Sequence, residues 1–279
     1  MSGTITATSL NVDYRGLRGG VRALSAVDLT LDGPAIVGLV GRNRAGKSTL
    51  LRVLAGWEPR FRGEVSVFGL PPARALSRTI LAGDRWPHAG GQSFRTLARA
   101  LSRVHSGFDH DRFGELMQRF GVDPGASAQS RGSVSSGLVC LALATRAPLT
   151  LLDEPTLGMD APSRRTLAEV LVEEQLEDPR RFIVSTHLID ELADLFERVI
   201  VLGAGRIRAD ADPSTLTSGY RQVEGPRDVV ERLQPLGRVA NIGNLARAIV
   251  PADPVPAALR SQPVGLQDLV TALTEPERP

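Results

Sequence analysis

The segment Gly41–Thr49, GRNRAGKST, is the feature that most restricts how this chain can fold. It follows the apolar run Ala35–Val40, which is enclosed by glycine and proline and predicts a strand buried on both faces of a parallel sheet. Leucine and valine then recur at helical spacing from Leu50 to Leu54. The order of strand, glycine-rich loop and helix predicts an α/β fold.

The same loop has the composition of a phosphate site. Its backbone N–H groups and the helix N-terminus can surround phosphate oxygens, Lys47 can reach the β- and γ-phosphates, and the Ser48 hydroxyl can ligate Mg²⁺. Lys47 is the only lysine in the chain, whereas every other strongly basic side chain is arginine. Because lysine is a compact ammonium and arginine a planar fork, this bias indicates a task that arginine cannot perform. The residues predicted to bind ATP here are Gly41, Arg42, Asn43, Arg44, Ala45, Gly46, Lys47, Ser48 and Thr49.

Two adjacent carboxylates end a second buried strand, in the sequence TLLDE of Thr150–Glu154. Neither is needed for packing, and adjacent strand residues point to opposite faces, so we expect Asp153 and Glu154 to have different tasks. Asp153 is predicted to hold the Mg²⁺ shell. Glu154 is predicted to be the general base for the attacking water, a role worth roughly 10²–10⁴-fold in rate.

Further elements alternate between strand and helix, which favours a parallel sheet. The predicted strands are Glu64–Phe68, Thr79–Leu81, Leu149–Leu152 and Phe182–Thr186, the predicted helices are Pro162–Glu177 and Leu188–Phe196, and a hairpin joins Arg198–Leu202 to Arg206–Ala209 before a short helix at Asp212-Pro213. Residues 85–148 show helical signals only, notably at Phe94–Val104 and Asp111–Phe120, and predict an inserted helical subdomain. From about Tyr220, a helical Val229–Leu233, an extended Ala246–Val250 and an amphipathic Gly265–Leu273 predict a small accessory domain.

Composition places the chain among globular proteins, since 42% of its residues are apolar and 23% are charged. The net charge of +2 argues against a nucleic-acid binder. Cys140 is the one cysteine and lies in an apolar run, so we expect it to be buried in a chain of the cytosol. Neither a membrane-spanning stretch nor a signal-peptide pattern is found, so any membrane association is expected to come through partners.

From about residue 8 to 217, these motifs resemble the ATP-binding subunit of ABC transporters. The resemblance implies a P-loop NTPase core with a mostly parallel sheet, an antiparallel edge subdomain and an inserted helical subdomain. It also implies ATP and Mg²⁺ as cofactors. In IVSTH, His187 stands where the family has a histidine that contacts the γ-phosphate. In Leu157–Asp160, Asp160 corresponds to the carboxylate of a loop that crosses the dimer interface.

The family signature, usually Leu-Ser-Gly-Gly-Gln, has two degenerate candidates. Gln129–Ser133, QSRGS, begins 24 positions before Asp153, as the family spacing requires, whereas Val134–Leu138, VSSGL, begins only 19 before it. The spacing favours QSRGS, with Ser130 and Gly132 retained. A serine and a glycine backbone at a helix N-terminus can hold the γ-phosphate of ATP bound to the opposite subunit.

Two expected positions are less well marked. The family has an aromatic residue that stacks on adenine upstream of the phosphate loop, and Tyr14 is the candidate, with Arg18 as the alternative. A glutamine that senses nucleotide should follow the strand Thr79–Leu81, but none is present, so Asp84 is taken as its replacement.

Several residues depart from the family pattern. Arg42 and Arg44 replace a proline and a glycine, and a glycine lost from the loop restricts the backbone wherever φ is positive. Gln129, Arg131 and Ser133 depart from the usual signature. Slow hydrolysis, or a composite site shared with a different partner chain, would follow from these changes.

Taken with the resemblance, the residues predict an ABC-type ATP-binding domain over residues 1–218 and an accessory domain over 219–279. The expected function is MgATP-driven dimerisation and ATP hydrolysis that move a substrate, by export, through separately encoded membrane subunits, with the chain on the cytoplasmic face of the membrane. The second subunit of the dimer is either a copy or a related chain, and no nucleic acid is expected. The alternatives are an ABC-type ATPase acting on nucleic acid or ribosomes and a catalytically weak regulatory subunit.

Overall fold

The computed structural model describes residues 3–14, 20–83, 92–125, 130–243, 245–253, 255–256 and 259–275. Within these ranges the strands are β1 (Ile5–Tyr14), β2 (Val21–Leu31), β3 (Ala35–Val40), β4 (Arg62–Val67), β5 (Thr79–Gly83), β6 (Leu149–Asp153), β7 (Arg181–Thr186), β8 (Arg198–Gly203), β9 (Arg206–Ala211), β10 (Tyr220–Gly225), β11 (Leu236–Ile242), β12 (Leu245–Pro251) and β13 (Arg260–Pro263). The α-helices of the same ranges are α1 (Lys47–Leu54), α2 (Phe94–Leu101), α3 (His110–Arg119), α4 (Arg131–Ala144), α5 (Ala161–Glu177), α6 (Pro213–Ser218), α7 (Arg227–Arg232) and α8 (Leu266–Thr274).

A six-stranded sheet lies at the centre of the fold, in the order β5-β6-β7-β3-β8-β9. The first five strands are parallel, and β9 returns antiparallel to β8. At one edge of this sheet Val40 pairs with Thr186, and Asp153 pairs with Ser185. The loop after β3 and the acidic end of β6 therefore leave the sheet on either side of β7, at the carboxyl ends of the strands, where parallel α/β sheets bind ligands.

The side chains on the two faces of β3 pack into two different hydrophobic cores. Ile36 and Val40 of β3 pack with residues of α4 and α5, whereas Val37 and Leu39 pack with residues of α1 and of the strands β1 and β2. Both faces of β3 are thus covered by apolar side chains, which is why its sequence is continuously apolar rather than alternating.

A second sheet, in the order β2-β1-β4, is antiparallel and covers one face of the central sheet. The predicted α/β fold with a mostly parallel sheet and an antiparallel edge is therefore confirmed.

Helices α2, α3 and α4 occupy the region predicted to be helical. The ring of Phe94 in α2 lies against Gly137 in α4, where a Cβ atom would meet the ring at 2.3 Å. Cys140 of α4 is fully buried, and this burial raises the pKa of its thiol. None of the helices in the described ranges is long and apolar enough to cross a lipid bilayer.

One buried carboxylate joins the helical region to the central core. Glu174 of α5 is 0% exposed, and its oxygens accept hydrogen bonds from Arg112 of α3 at 2.7 Å, from Arg146 at 3.3 Å and from Arg180. Arg112 and Arg180 are themselves buried. Three guanidinium groups thus converge on a single carboxylate, so the charge of Glu174 compensates groups from three separate parts of the chain.

The C-terminal strands form a third sheet, in the order β11-β12-β10-β13. It has a small core of its own with α7, which includes Val223, Val230 and Val250. Helix α8 follows this sheet in the chain, but its buried residues belong to the main core instead. The domain boundaries at residue 218 and around residues 85–148 stay predictions.

The predicted helix Leu188–Phe196 is wrong. This segment forms two 3-10 turns, Ile189–Glu191 and Ala193–Leu195, separated by Leu192 at φ −131°. Ile189, Leu192 and Phe196 are all buried, so the apolar spacing that indicated a helix is real. The same spacing is compatible with tighter turns, because side chains three residues apart share a face in both structures.

Candidate functional site

The phosphate loop of residues 41–46 is held between two strands by close backbone contacts. A Cβ atom on Gly41, at φ 148°, would lie 2.1 Å from the carbonyl oxygen of Leu202. A Cβ atom on Gly46, at φ 107°, would lie 2.5 Å from that of Ala23. Only glycine fits at either position. Helix α1 begins directly after Gly46 with no side-chain cap, so its first N–H groups point toward the loop and can receive a phosphate.

Arg44 has the left-handed backbone conformation that its family counterpart, glycine, adopts freely. Its φ is +69°, which costs an L-residue roughly 1–2 kcal/mol. An arginine in place of the family's glycine at this position therefore carries the conformational cost expected from the sequence. Arg42, Asn43 and Arg44 are exposed on the outer side of the loop, whereas Ala45 is buried.

The Lys47 ammonium lies inside the loop. Its side chain is 6% exposed, and Nζ donates to the carbonyl oxygen of Gly41 at 2.7 Å. The same Nζ atom is 3.1 Å from Glu154 Oε1. Lys47 is thus paired with the predicted general base, and a phosphate entering the loop would compete with Glu154 for the ammonium.

Glu154 is held between two cationic or proton-bearing groups. One of its oxygens faces Lys47, and the other, Oε2, lies 2.8 Å from His187 Nδ1 and accepts from the His187 backbone N–H at 3.3 Å. The backbone of Glu154 is also left-handed, at φ 51°.

Ser185 holds the two acidic residues in their different orientations. Its hydroxyl donates to Asp153 Oδ1 at 2.6 Å and accepts from the Glu154 backbone N–H at 3.0 Å. The two carboxylates therefore have different partners, as expected for adjacent residues at a strand end. The sequence analysis did not single out Ser185. The available signal was a hydroxyl directly after the apolar run Phe182–Val184 of β7, where Ser185 is 0% exposed.

Ser130 stands directly before α4 and caps it. Its Oγ accepts from the Ser133 backbone N–H at 3.1 Å, and Gly132 in the first turn lies so close to Gly158 that a Cβ atom would be 2.5 Å from the Gly158 carbonyl oxygen. The competing segment Val134–Leu138 lies inside α4, where its N–H groups are turned into the helix. Of the two signature candidates, only the one around Ser130 has its serine at a helix N-terminus. Gln129 lies outside the described residues.

Ser135 has a partner of its own. Its hydroxyl donates to the carbonyl oxygen of Leu157 at 2.7 Å, so the second turn of α4 is tied to the segment Leu157–Asp160. Asp160 caps α5, because its Oδ1 accepts from the Ser163 backbone N–H at 2.9 Å. Hydrogen bonds from Ser163 lower the pKa of this carboxyl. The predicted interface loop is thus anchored at both ends within its own chain.

Tyr14 is not brought to the phosphate loop by any described contact. It lies at the end of β1, more than a third exposed, and lines a surface cavity of about 540 Å³. The other residues lining this cavity are Asn11, Asp13, Glu58, Arg60, Phe61 and Arg62. Its predicted alternative, Arg18, and the predicted sensor residue Asp84 lie outside the described residues.

Comparisons with known proteins bear on the family. The ABC transporter family model matches residues 24–157. The hemin import ATP-binding protein HmuV of Streptomyces coelicolor is 34% identical over 221 residues, which cover 71% of this chain and 77% of that protein. The chain belongs to the ABC transporter ATP-binding proteins. As a member of that family it is an ATP-binding protein and an ATPase.

Other ABC transporter proteins show the same likeness. An ATP-binding protein of Streptomyces avermitilis is 35% identical over 205 residues, which cover 69% of this chain but 36% of that relative, so the chain spans about a third of its length. A solved ATP-binding cassette, dimeric and bound to ADP and phosphate in a post-hydrolysis state, superposes with a TM-score of 0.65. It is 19% identical and covers 75% of this chain and 98% of that structure. This likeness confirms the P-loop NTPase fold.

Proposed function

We propose that this ABC ATPase binds MgATP in the loop of residues 41–49, hydrolyses it with Glu154 as general base, and works as a dimer that drives transport through separate membrane subunits. The observation that carries the proposal is the position of the Glu154 carboxylate, between Lys47 Nζ at 3.1 Å and His187 Nδ1 at 2.8 Å. A carboxylate beside the lysine of a phosphate loop is placed to act as a base on water that attacks a bound phosphate, and His187 would hold that carboxylate in place.

An exchange of partners explains how binding prepares hydrolysis. Nucleotide phosphates would draw the Lys47 ammonium away from Glu154, because a triphosphate offers it more negative charge than one carboxylate. Glu154 would then be free to accept a proton from the attacking water. His187 would hold the carboxylate in place by donating from Nδ1. Its Nε2 can donate to the γ-phosphate at the same time only if both ring nitrogens carry a proton.

Magnesium fits the oxygen donors at this site. The Ser48 hydroxyl and the Asp153 carboxylate are the hard ligands that Mg²⁺ prefers, and Asp153 Oδ2 accepts no hydrogen bond from the described residues. When bound, the ion would neutralise charge on the β- and γ-phosphates. Ser185, by holding Oδ1, would fix the orientation of that carboxylate toward the ion.

The second half of each site is proposed to come from the α4 N-terminus of a partner subunit, with Ser130 and Gly132 on the γ-phosphate and Asp160 at the interface. The position of Ser130 and Gly132 at the N-terminus of α4 supports this role, because a helix N-terminus can bind an anion. We expect Ser130→Ala in a Glu154→Gln background to abolish the dimer that MgATP induces, as measured by sedimentation with and without MgATP. Nucleotide binding by the monomer should be unchanged.

Ser135→Ala is the matched control. Each variant removes one serine hydroxyl bonded to backbone, and each loss costs roughly 1 kcal/mol of stability. Only Ser130 precedes the helix, so only Ser130→Ala should affect dimerisation. Loss of the dimer with Ser135→Ala alone would assign the signature to Val134–Leu138. A dimer that persists in both variants would place the working signature on a different partner chain.

The membrane partner is tested by purification of the full chain from membranes in mild detergent, where a polytopic protein should co-purify. Recovery of ribosomal RNA or nucleic acid instead would support the rival function as an ATPase acting on those molecules. The same experiment tests the proposed location at the cytoplasmic face of the membrane, because a chain held there by partners is released with them.

Export is the proposed direction, on the resemblance of RAPLTLLDEP and STHLIDEL to exporter ATPases. The Streptomyces coelicolor relative is by name an importer, so family membership leaves both directions represented. A catalytically weak subunit of a heterodimer is the alternative that the strained Arg44 favours. Turnover of the purified homodimer separates this alternative from the main proposal.

A further inference from the structure

Helix α8 forms one wall of the cleft over the phosphate loop, although it comes from the end of the described chain. The cleft has a volume of about 320 Å³, and its lining includes Arg42 and Asn43 on one side and Gln267 and Thr271 of α8 on the other. Three apolar residues of α8 fix the helix in the main core, namely Leu266, Leu269 and Val270. The C-terminal segment is therefore part of the surroundings of the nucleotide site.

Three successive backbone N–H groups after β7 are bonded to side chains. The His187 N–H donates to Glu154 at 3.3 Å, and the Leu188 N–H donates to the Thr186 hydroxyl at 3.0 Å. The Ile189 N–H donates to Gln267 Oε1 at 2.8 Å. The first acceptor is the proposed general base and the second belongs to β7, whereas the third comes from α8.

The bond from Ile189 satisfies a group that the local chain leaves open. Ile189 begins a 3-10 turn that has no side-chain cap of its own, and the residue is 1% exposed. A buried N–H without an acceptor costs roughly 1–3 kcal/mol. The half-buried Gln267 thus supplies the cap from a distant part of the chain, and it anchors the turn two residues after His187.

We infer that Gln267 is a positioning residue for ATP hydrolysis. By holding the Ile189 N–H, it keeps the turn after β7 in place, so that the His187 ring remains on the Glu154 carboxylate. The inference rests on the proposed roles of Glu154 and His187. The C-terminal segment would then affect the rate of ATP hydrolysis, and it would do so through the contact of α8 with the turn after β7.

The test compares variants of the full chain. Gln267→Met keeps the length of the side chain and removes the acceptor, so kcat should fall about 10-fold, within the range that a small misplacement of reacting groups produces. The KM for ATP should change less than about two-fold, because the phosphate loop is untouched. Hydrogen exchange of the Ile189 amide should become faster. Gln267→Glu, which retains an acceptor oxygen, should restore kcat.

Gln262→Met is the matched control. Gln262 is an exposed glutamine of β13 whose side chain bonds only to Gln222 among the described residues, away from the cleft. Its kcat and KM should equal those of the parent chain. If Gln267→Met does not fold, Gln267→Asn replaces it, because asparagine withdraws the acceptor by one methylene and should also lower kcat.

The outcomes separate this inference from the proposed function. Faster exchange at Ile189 with unchanged kcat overturns the inference, since the bond would then serve the fold alone. A fall in kcat that Gln267→Glu does not restore also overturns it. If Glu154→Gln leaves turnover unchanged, the proposed function fails instead, whatever the Gln267 variants show.

Discussion

Glu154→Gln will slow single-turnover ATP hydrolysis by at least about 10²-fold, because an amide cannot take the proton of the attacking water. ATP should remain bound, since the substitution removes a negative charge from the side of the site that receives the phosphates. It also releases the Lys47 ammonium from its ion pair at 3.1 Å. Rapid-quench measurement with enzyme in excess over ATP isolates this step from product release.

Two further variants fix the interpretation. Lys47→Ala should lose MgATP binding while its unfolding transition stays that of a folded protein, because the side chain contacts the loop rather than the apolar core. Glu177→Gln, at the exposed end of α5, should hydrolyse ATP at the parent rate. Unchanged turnover in Glu154→Gln excludes this residue as the base, and unchanged ATP affinity in Lys47→Ala excludes the loop as the phosphate site.

Glu174→Gln is expected to lower the free energy of unfolding by roughly 3–5 kcal/mol, as measured in urea. The substitution removes the one fully buried carboxylate that Arg112, Arg146 and Arg180 share. The carboxylates that these arginines keep are more exposed, at Glu115, Asp109 and Asp178 respectively. The loss reflects buried positive charge that keeps only partly exposed partners, rather than the net contribution of the ion pairs, which is usually small.

The neighbouring Glu173→Gln is the control. Its carboxylate is 38% exposed, pairs with the partly exposed Arg119 and lies 3.5 Å from Arg112, so its removal should cost less than about 1 kcal/mol. Equal losses in the two variants would show that burial does not set the strength of this network. The comparison holds helix, residue type and substitution constant, and it varies the solvent exposure of the carboxylate together with its arginine partners.

Local patterns in the sequence were sufficient to predict the centre of the fold. Strand β3, the phosphate loop and helix α1 are adjacent in the chain, so one local pattern of apolar spacing and glycines predicts all three. The same holds for Asp153 and Glu154, whose position at a strand end follows from a short apolar run. These features depend on residues close in sequence, which periodicity describes well.

Contacts between distant parts of the chain could not be predicted in this way. Ser185 lies on a different strand from the carboxylates that it orients, and Gln267 is far along the chain from the Ile189 amide that it accepts from. Ser185 lies in the motif IVSTH, but there only His187 was assigned a role, and Gln267 belongs to no motif. The edge strand β13 was also missed, because its residues are all exposed and carry no apolar alternation.

The strand order of the central sheet has a consequence for synthesis on the ribosome. β3 is the first strand of this sheet to be made, but its only neighbours are β7 and β8, and Ala35 pairs with Arg181. At about 5–20 residues per second, the intervening chain takes roughly 10–30 s to emerge. Throughout that interval the apolar strand β3 lacks its neighbours in the sheet, so the nascent chain is prone to aggregate.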